Sequence, residues 1–283
     1  MQRQKNVAAI HDISCFGKCS LTVVLPVLSA AGIETSVIPT AVLSTHTGGF
    51  TGNTFRDLSK DIGPIMEHWR SLGLTFDAIY TGYLGSFEQL EILTHFFERF
   101  HTEENLVLID PVMGDNGKLY SVFDEQFVEG MARFCGNGDI IVPNMTEAAF
   151  MLKRPYQEGP YTKAYVEQIL EELAALGPDR IVLTGIFFDD KKMGAASLDK
   201  TTGKVAYSLS ERIEGYYHGT GDVFASSLLA AVLTGLNLGD AAQVAADYTT
   251  GCIKRTKEAG TDLRYGLNFE QEIPHLLQLL HLI

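Results

Sequence analysis

Short runs that are apolar at every position alternate along this chain with longer stretches of helical periodicity. Ile140-Ile141-Val142 and Ile181-Val182-Leu183 contain no polar residue. A strand with one wet face alternates apolar and polar side chains, whereas a strand buried on both faces does not. The runs therefore predict a sheet covered on both sides. Candidate strands are residues 7–10, 35–39, 78–81, 106–110, 140–143 and 180–184. Helical patterns occupy residues 21–31, 62–72, 87–100, 162–176, 223–233, 241–257 and 269–280. This alternation predicts an α/β fold with a mostly parallel central sheet and helices on both faces. Residues 195–198 and 205–209, joined by Lys200-Thr201-Thr202-Gly203, read as a hairpin. With no Pro/Gly/Ser-rich linker, low-complexity tract or repeat, the expectation is one domain over residues 1–283.

Charge and cysteine usage narrow the function classes. The chain carries 22 basic and 35 acidic residues, a net charge of −13. That balance, without a clear basic run, argues against nucleic-acid and anionic-membrane partners. Nucleotides stay open, because local amides and magnesium can hold them. The apolar stretch after the charged N-terminus covers only residues 7–10, too short for a signal peptide. No segment reaches the roughly 18 uninterrupted apolar residues of a membrane span. Cys15, Cys19, Cys135 and Cys252 are too few for a disulfide scaffold, and Cys15-x-x-x-Cys19 lacks a partner pair with metal-ligand spacing. The expectation is a cytoplasmic protein with reduced thiols.

Ligands of open α/β sheets bind outside the carboxyl ends of the strands. Here those ends read Thr81-Gly82-Tyr83, Asp110-Pro111-Val112-Met113-Gly114-Asp115, Pro143-Asn144-Met145-Thr146-Glu147 and Thr184-Gly185. Any one of these could be a plain turn, since Gly, Pro, Asn and Asp dominate turns. Four on one edge point to a site. A fifth motif, His218-Gly219-Thr220-Gly221-Asp222, directly precedes the apolar run that begins at Val223. Glycines at a helix start let backbone amides approach an anion. A carboxylate in such a place repels phosphate unless it has work to do. It can act as a base for an attacking hydroxyl, as phosphoryl transfer requires, or it can simply cap the helix.

Asp110, Asp115, Asn144 and Glu147 form a hard-oxygen set suited to magnesium. Glu147 alone could also be a first-turn helix carboxylate facing the dipole. There is no P-loop, since Asp12 stands where its first glycine belongs. A dinucleotide-binding glycine fingerprint and a Gly-x-Ser-x-Gly elbow are also missing. Residues 10–17, leaving the first strand, and Ser44-Thr45-His46-Thr47-Gly48-Gly49-Phe50 offer polar and aromatic groups for a small ring. His11 and His46 taken singly read as solvated or hydrogen-bonded loop residues.

Together, Thr81-Gly82-Tyr83-Leu84-Gly85-Ser86, Asp110-Pro111-Val112-Met113-Gly114-Asp115, Pro143-Asn144-x-x-Glu147 and Gly219-Thr220-Gly221-Asp222 resemble the ribokinase superfamily in order and approximate spacing. The first two motifs resemble its vitamin B6 branch, the pyridoxal/pyridoxine/pyridoxamine kinases, and residues 44–48 look like that branch's substrate loop. The resemblance covers about residues 7–255. It implies a ribokinase-like fold and ATP-dependent phosphorylation of a 5'-hydroxymethyl group. Asp222 would be the base, and the amides of Gly219, Thr220 and Gly221 the anion hole. Asp110, Asp115 and Glu147 would lie near magnesium and the ATP phosphates, and Asn144 and Thr184 would contact ATP. Thr47 and Tyr83 would lie against the substrate ring. The resemblance also implies a homodimer and leaves potassium open as an accessory cation.

One position departs from the branch. Asp12 stands where a serine usually meets the pyridine ring, with Ser14 two residues on. Either Asp12 pairs with a protonated ring nitrogen or Ser14 makes the contact. Hydroxymethylpyrimidine kinase activity is therefore the alternative. A catalytically idle B6- or nucleotide-binding protein is a further alternative, disfavoured because the base and the glycines are intact. Sugar and nucleoside kinases usually carry an early lid of strands, for which the first connections here are too short.

Overall fold

The computed structural model describes residues 3–283. In chain order, Asn6–Ser14 is β1, Leu21–Ala30 α1, Glu34–Leu43 β2, Phe55–Asp57 β3 and Ser59–Ser71 α2. Ala78–Thr81 is β4, Phe87–Phe100 α3 and Leu106–Ile109 β5, followed by the short pair β6 (Gly114–Asp115) and β7 (Lys118–Leu119). Then come α4 (Glu125–Cys135), β8 (Ile140–Ile141), α5 (Met145–Met151) and α6 (Lys163–Ala174). Arg180–Ile186 is β9, Lys192–Asp199 β10 and Lys204–Glu211 β11. Three helices close the chain: α7 (Thr220–Leu233), α8 (Leu238–Glu258) and α9 (Ile273–Leu279).

A nine-stranded sheet runs in the order β11-β10-β9-β8-β5-β4-β1-β2-β3. The pairings from β2 through β9 are all parallel, while β3 joins β2, and β10 joins both β9 and β11, antiparallel. The expected mixed α/β architecture and the hairpin of β10 and β11 are therefore present. The apolar runs are buried as two-sided strands must be. Ile79, Ile109, Ile141 and Leu183 pack with α2, α3, α4 and α6. On the other face Ala9, Tyr80, Leu108, Ile140 and Val182 pack with α1, α7 and α8.

Register places the strand ends in step. Ile10 pairs with Thr81, Thr81 with Ile109, and Ile109 with Ile141. The backbone amide of Asp110 donates to Thr81 O at 2.9 Å, and Thr184 N–H to Pro143 O at 2.9 Å. The four polar strand ends read from the sequence thus share one edge.

Several boundaries differ from the sequence reading. β1 continues through His11, Asp12 and Ser14, with a register shift between His11 and Ile13. Their polar side chains hid a strand that tertiary burial enforces, and such a bulge re-aims a side chain. His11 is consequently no loop residue. It is fully buried, its ring edge-on to Tyr80 at 4.4 Å between centroids. The pattern at residues 269–280 begins as a 3-10 turn at Glu270–Glu272 before α9. The small β3, β6 and β7 and the helix α4 were not foreseen. α4 has a legible start, since the Asp124 side chain accepts from Phe127 N–H at 2.9 Å. α5 was present in the reading only as a first turn around Glu147.

Candidate active site

The site is built at the shared strand edge, beginning with the turn into α7. Gly219 is the N-cap residue and lies in the left-handed region, φ 78°. A Cβ there would stand 2.4 Å from the Lys18 carbonyl oxygen, so only glycine fits. Thr220, Gly221 and Asp222 form the first turn of a 14-residue helix, where backbone amides are free for an anion. Asp222 is therefore not the cap of this helix, and the capping explanation of its presence does not hold. Burial pushes its carboxyl up to about 7; the Ser20 backbone amide opposes the rise, and the nearby Asp12 carboxylate adds to it.

Asp110, at the end of β5, is buried. Burial raises its carboxyl well above the usual carboxylate range, and the charges of Glu147 and Asp222 raise it further. Glu147 completes a capping box at the start of α5. Its Oε2 accepts from Asn144 N–H at 2.8 Å, its Oε1 accepts from Met113 N–H at 3.1 Å, and its own N–H donates to Asn144 Oδ1 at 2.9 Å. Burial pushes Glu147 up to about 8, against those amides, and the Asp115 charge adds to the rise. The first-turn reading of Glu147 is thus realised, and the same carboxylate still lies beside Asp110.

Asp115 is half-buried in β6 and accepts from Asn116 N–H at 2.8 Å. Among the described residues, no group of three or more His, Cys, Asp or Glu forms a ready-made metal cage. Glu147 lies near both Asp110 and Asp115, so the three carboxyls share one neighbourhood. The donor chemistry nonetheless suits magnesium, which keeps several waters and needs only one or two carboxylates. Carboxyls that repel one another in a buried space are what a hard cation would relieve.

Asn144 and Thr184 meet across the ends of β8 and β9 as an isolated parallel bridge. The Asn144 side-chain amide donates to Gly114 O at 2.9 Å, which fixes the strand-end loop holding Asp115.

On the opposite side of Asp222 lies Asp12, buried at the β1 bulge. Ser14 donates its hydroxyl to Asp12 Oδ2 at 3.2 Å, and the Ser20 hydroxyl donates to Oδ1. Ser14 and Asp12 are thus hydrogen-bonded to each other. Burial raises the Asp12 carboxyl, and the two hydroxyls oppose that rise. Tyr83 is half-buried, its phenol pushed up to about 12 by burial and by the charges of Asp12 and Asp57. Thr47, in contrast, is exposed on its loop. That loop is anchored by His46, which is buried. Gly48 N–H donates to His46 Nδ1 at 3.0 Å, so Nε2 carries the proton and donates to Arg264 O at 2.6 Å. His46 is thus the hydrogen-bonded loop histidine expected. His218, next to it at 5.2 Å between ring centroids, packs over Gly48.

Sequence reasoning gave no role to Ser20 or His218 and missed the burial of His11. Ser20 is not glycine yet has φ 50°, a conformation costing on the order of 1–3 kcal/mol. No local sequence signal marks it.

The fold and the edge site define a ribokinase-like kinase. Residues 26–265 match the model of the phosphomethylpyrimidine kinase family, and the chain belongs to that family. A Bacteroides thetaiotaomicron protein assigned as a phosphomethylpyrimidine kinase and crystallised with pyridoxal is 34% identical, with a TM-score of 0.92 over 97% of this chain and 96% of that one. The pyridoxal kinase of Lactobacillus plantarum is 32% identical, with a TM-score of 0.89 over 98% of each chain. A pyridoxine/pyridoxal/pyridoxamine kinase of Bordetella avium is 26% identical over 90% of this chain and 86% of its own.

Proposed function

We infer that this protein is an ATP-dependent kinase of B6 vitamers, phosphorylating the 5'-hydroxymethyl group of pyridoxal, pyridoxine or pyridoxamine within one domain over residues 1–283. The observation that carries the reading is Asp222 in the first turn of α7, beside the free amides of Gly219–Gly221, with its carboxyl pushed up to about 7. A base with that affinity is half-ionised near neutral pH, where general-base catalysis is most effective. Asp222 takes the proton of the substrate hydroxyl as its oxygen attacks the γ-phosphorus of ATP, the bond from that phosphorus to the β,γ-bridging oxygen breaks to release ADP, and the amides of Gly219, Thr220 and Gly221 receive the negative charge of the group in transfer. Asp12, Ser14, Tyr83 and Thr47 face the ring, and Asp110, Asn144, Glu147 and Thr184 face the nucleotide. Asp110, Asp115 and Glu147 would hold magnesium, which would neutralise phosphate charge when bound; potassium is an optional further cation. The enzyme acts in the cytoplasm as a homodimer. Among the described residues no helix is long and apolar enough to cross a membrane.

The family name favours a second reading, hydroxymethylpyrimidine kinase, because that substrate is also a small aromatic ring with a hydroxymethyl group. An ATP-consumption assay against pyridoxal, pyridoxine, pyridoxamine and hydroxymethylpyrimidine, with product masses, decides between them. Turnover of the pyrimidine alone would overturn the B6 reading, and turnover of none would favour a binding protein. Sedimentation at micromolar concentration tests the dimer against a monomer of 31.1 kDa.

A further inference from the structure

Ser20 lies between two carboxylates, Asp12 and Asp222. Its hydroxyl donates to Asp12 Oδ1, and its backbone amide faces Asp222. It does so from φ 50° and ψ −133°, immediately before α1, in a conformation that L side chains rarely adopt. It is buried, and its carbonyl accepts from Val23 N–H at 2.9 Å and Val24 N–H at 3.0 Å. Glycine would hold this backbone without strain. A serine here is explained by what its hydroxyl does.

We propose that Ser20 is a positioning residue that locks Asp12 toward the substrate ring and holds it in fixed relation to Asp222. The left-handed turn aims the amide at Asp222, while the side chain reaches the bulge of β1. Ser14 donates to the other oxygen of Asp12, so the carboxylate is gripped from both sides and its rotation is stopped. The Ser20 hydroxyl reaches Asp12, and its influence on the reaction runs through that carboxylate. The proposal rests on the B6-kinase reading, in which Asp12 meets the ring.

The decisive variant is Ser20→Gly, which deletes the hydroxyl and keeps the backbone at ease. The expected result is an ATP KM within about twofold of the parent. The KM for the B6 vitamer should rise roughly tenfold to a hundredfold, the loss expected for one hydrogen bond to a charged group. In an Asp12→Asn background the same change should alter the vitamer KM by less than about twofold, because the two residues form one unit. A merely structural serine predicts the same proportional loss in both backgrounds. Either that pattern, or an unchanged vitamer KM in Ser20→Gly, overturns the proposal. The parent protein is assayed alongside: failure of the parent on every B6 vitamer would refute the functional reading instead, and binding of pyridoxal followed by fluorescence would still report the Ser20–Asp12 coupling.

Discussion

A side-chain carbon on Gly219 would stand 2.4 Å from the carbonyl oxygen of Lys18, so the turn that opens α7 and the loop that leads into α1 are in direct backbone contact. Lys18 is itself pinned, its N–H donating to Tyr265 O at 3.0 Å and its ammonium lying 3.0 Å from Glu270. The turn into α7 is therefore braced by a loop whose other end, at Ser20, holds Asp12.

The two glycines of the cradle should respond differently to alanine. Gly219→Ala meets both a positive φ and a backbone oxygen, and should lose at least about 2 kcal/mol of stability along with its activity. Gly221 has ordinary helical φ, and the nearest outside atom to an added Cβ is Asp110 Oδ2 at 3.8 Å. Gly221→Ala should therefore keep or gain up to about 1 kcal/mol of stability. Its methyl group intrudes on the space between the amides and Asp110, so turnover should fall by roughly 10²-fold. Thermal melts and turnover on the same two preparations check both halves; equal stability losses would show that the cradle is not held as described.

Glu147 offers a test of the nucleotide side. Both of its oxygens accept backbone amides, from Met113 and Asn144. Glu147→Gln replaces one acceptor with an NH₂ group that would face a donor, so stability should drop by about 1–3 kcal/mol. The magnesium concentration needed for half-maximal rate should rise as well, because one negative charge has left the neighbourhood of Asp110. In the parent enzyme, activity should vanish in excess EDTA and return with magnesium or manganese. Full activity in EDTA would end the metal assignment.

How far the sequence foretold this molecule depends on where the deciding interaction lies. Two-sided burial writes itself into consecutive residues, so runs such as Ile181-Val182-Leu183 were legible, and with them the parallel sheet. The glycine turn into α7 was legible because Gly219 to Asp222 are contiguous and chemically odd together. β1 was cut short at Ile10 because His11 and Asp12 look like loop residues. Only their burial against Tyr80, Ser14 and Ser20, residues remote in sequence or unremarkable in type, makes them strand. Ser20 was invisible for a related reason: its importance lies in a backbone angle, and serine is at home in any turn. The engagement of Glu147 by the amides of Met113 and Asn144 was legible only in part, because the Asn144 contact is local and the Met113 contact comes from a strand end remote in sequence.

Substrate choice should turn on Asp12. Asp12→Ser restores the residue type usual in the B6 branch and leaves Ser14 and Ser20 in place. Relative rates among pyridoxal, pyridoxine and pyridoxamine should shift by an amount equivalent to about 1–3 kcal/mol, while the KM for ATP changes little. The Asp12 charge also helps to raise Asp222. Its removal should move the acid limb of kcat/KM to lower pH. Equal losses for all three vitamers, or an effect confined to ATP, would count against Asp12 as a ring contact.

The sharpest prediction concerns Asp222 and combines rate with stability. Asn is nearly isosteric with Asp but cannot take a proton from the substrate hydroxyl, so turnover should fall by roughly 10²–10⁴. ATP should bind as well or slightly better, since a negative charge has left the phosphate site. Stability should move the other way, and the sign follows from burial. The folded-state carboxyl is raised from 3.8 to about 7. Below pH 3.8 both states are protonated and the carboxyl has no penalty relative to the amide. Between about pH 4 and 7 the unfolded chain ionises and the folded one does not, so the parent protein steadily loses stability, and above pH 7 that loss is complete. Asp222→Asn should therefore melt close to the parent at pH 4 and roughly 2–6 °C above it at pH 8. In the parent enzyme, kcat/KM should fall as pH drops below about 7, as the base becomes protonated. A variant with near-parental turnover would sink the mechanism. One that is slow but melts lower than the parent at pH 8 would keep the base and refute its burial as the cause of the raised affinity for protons.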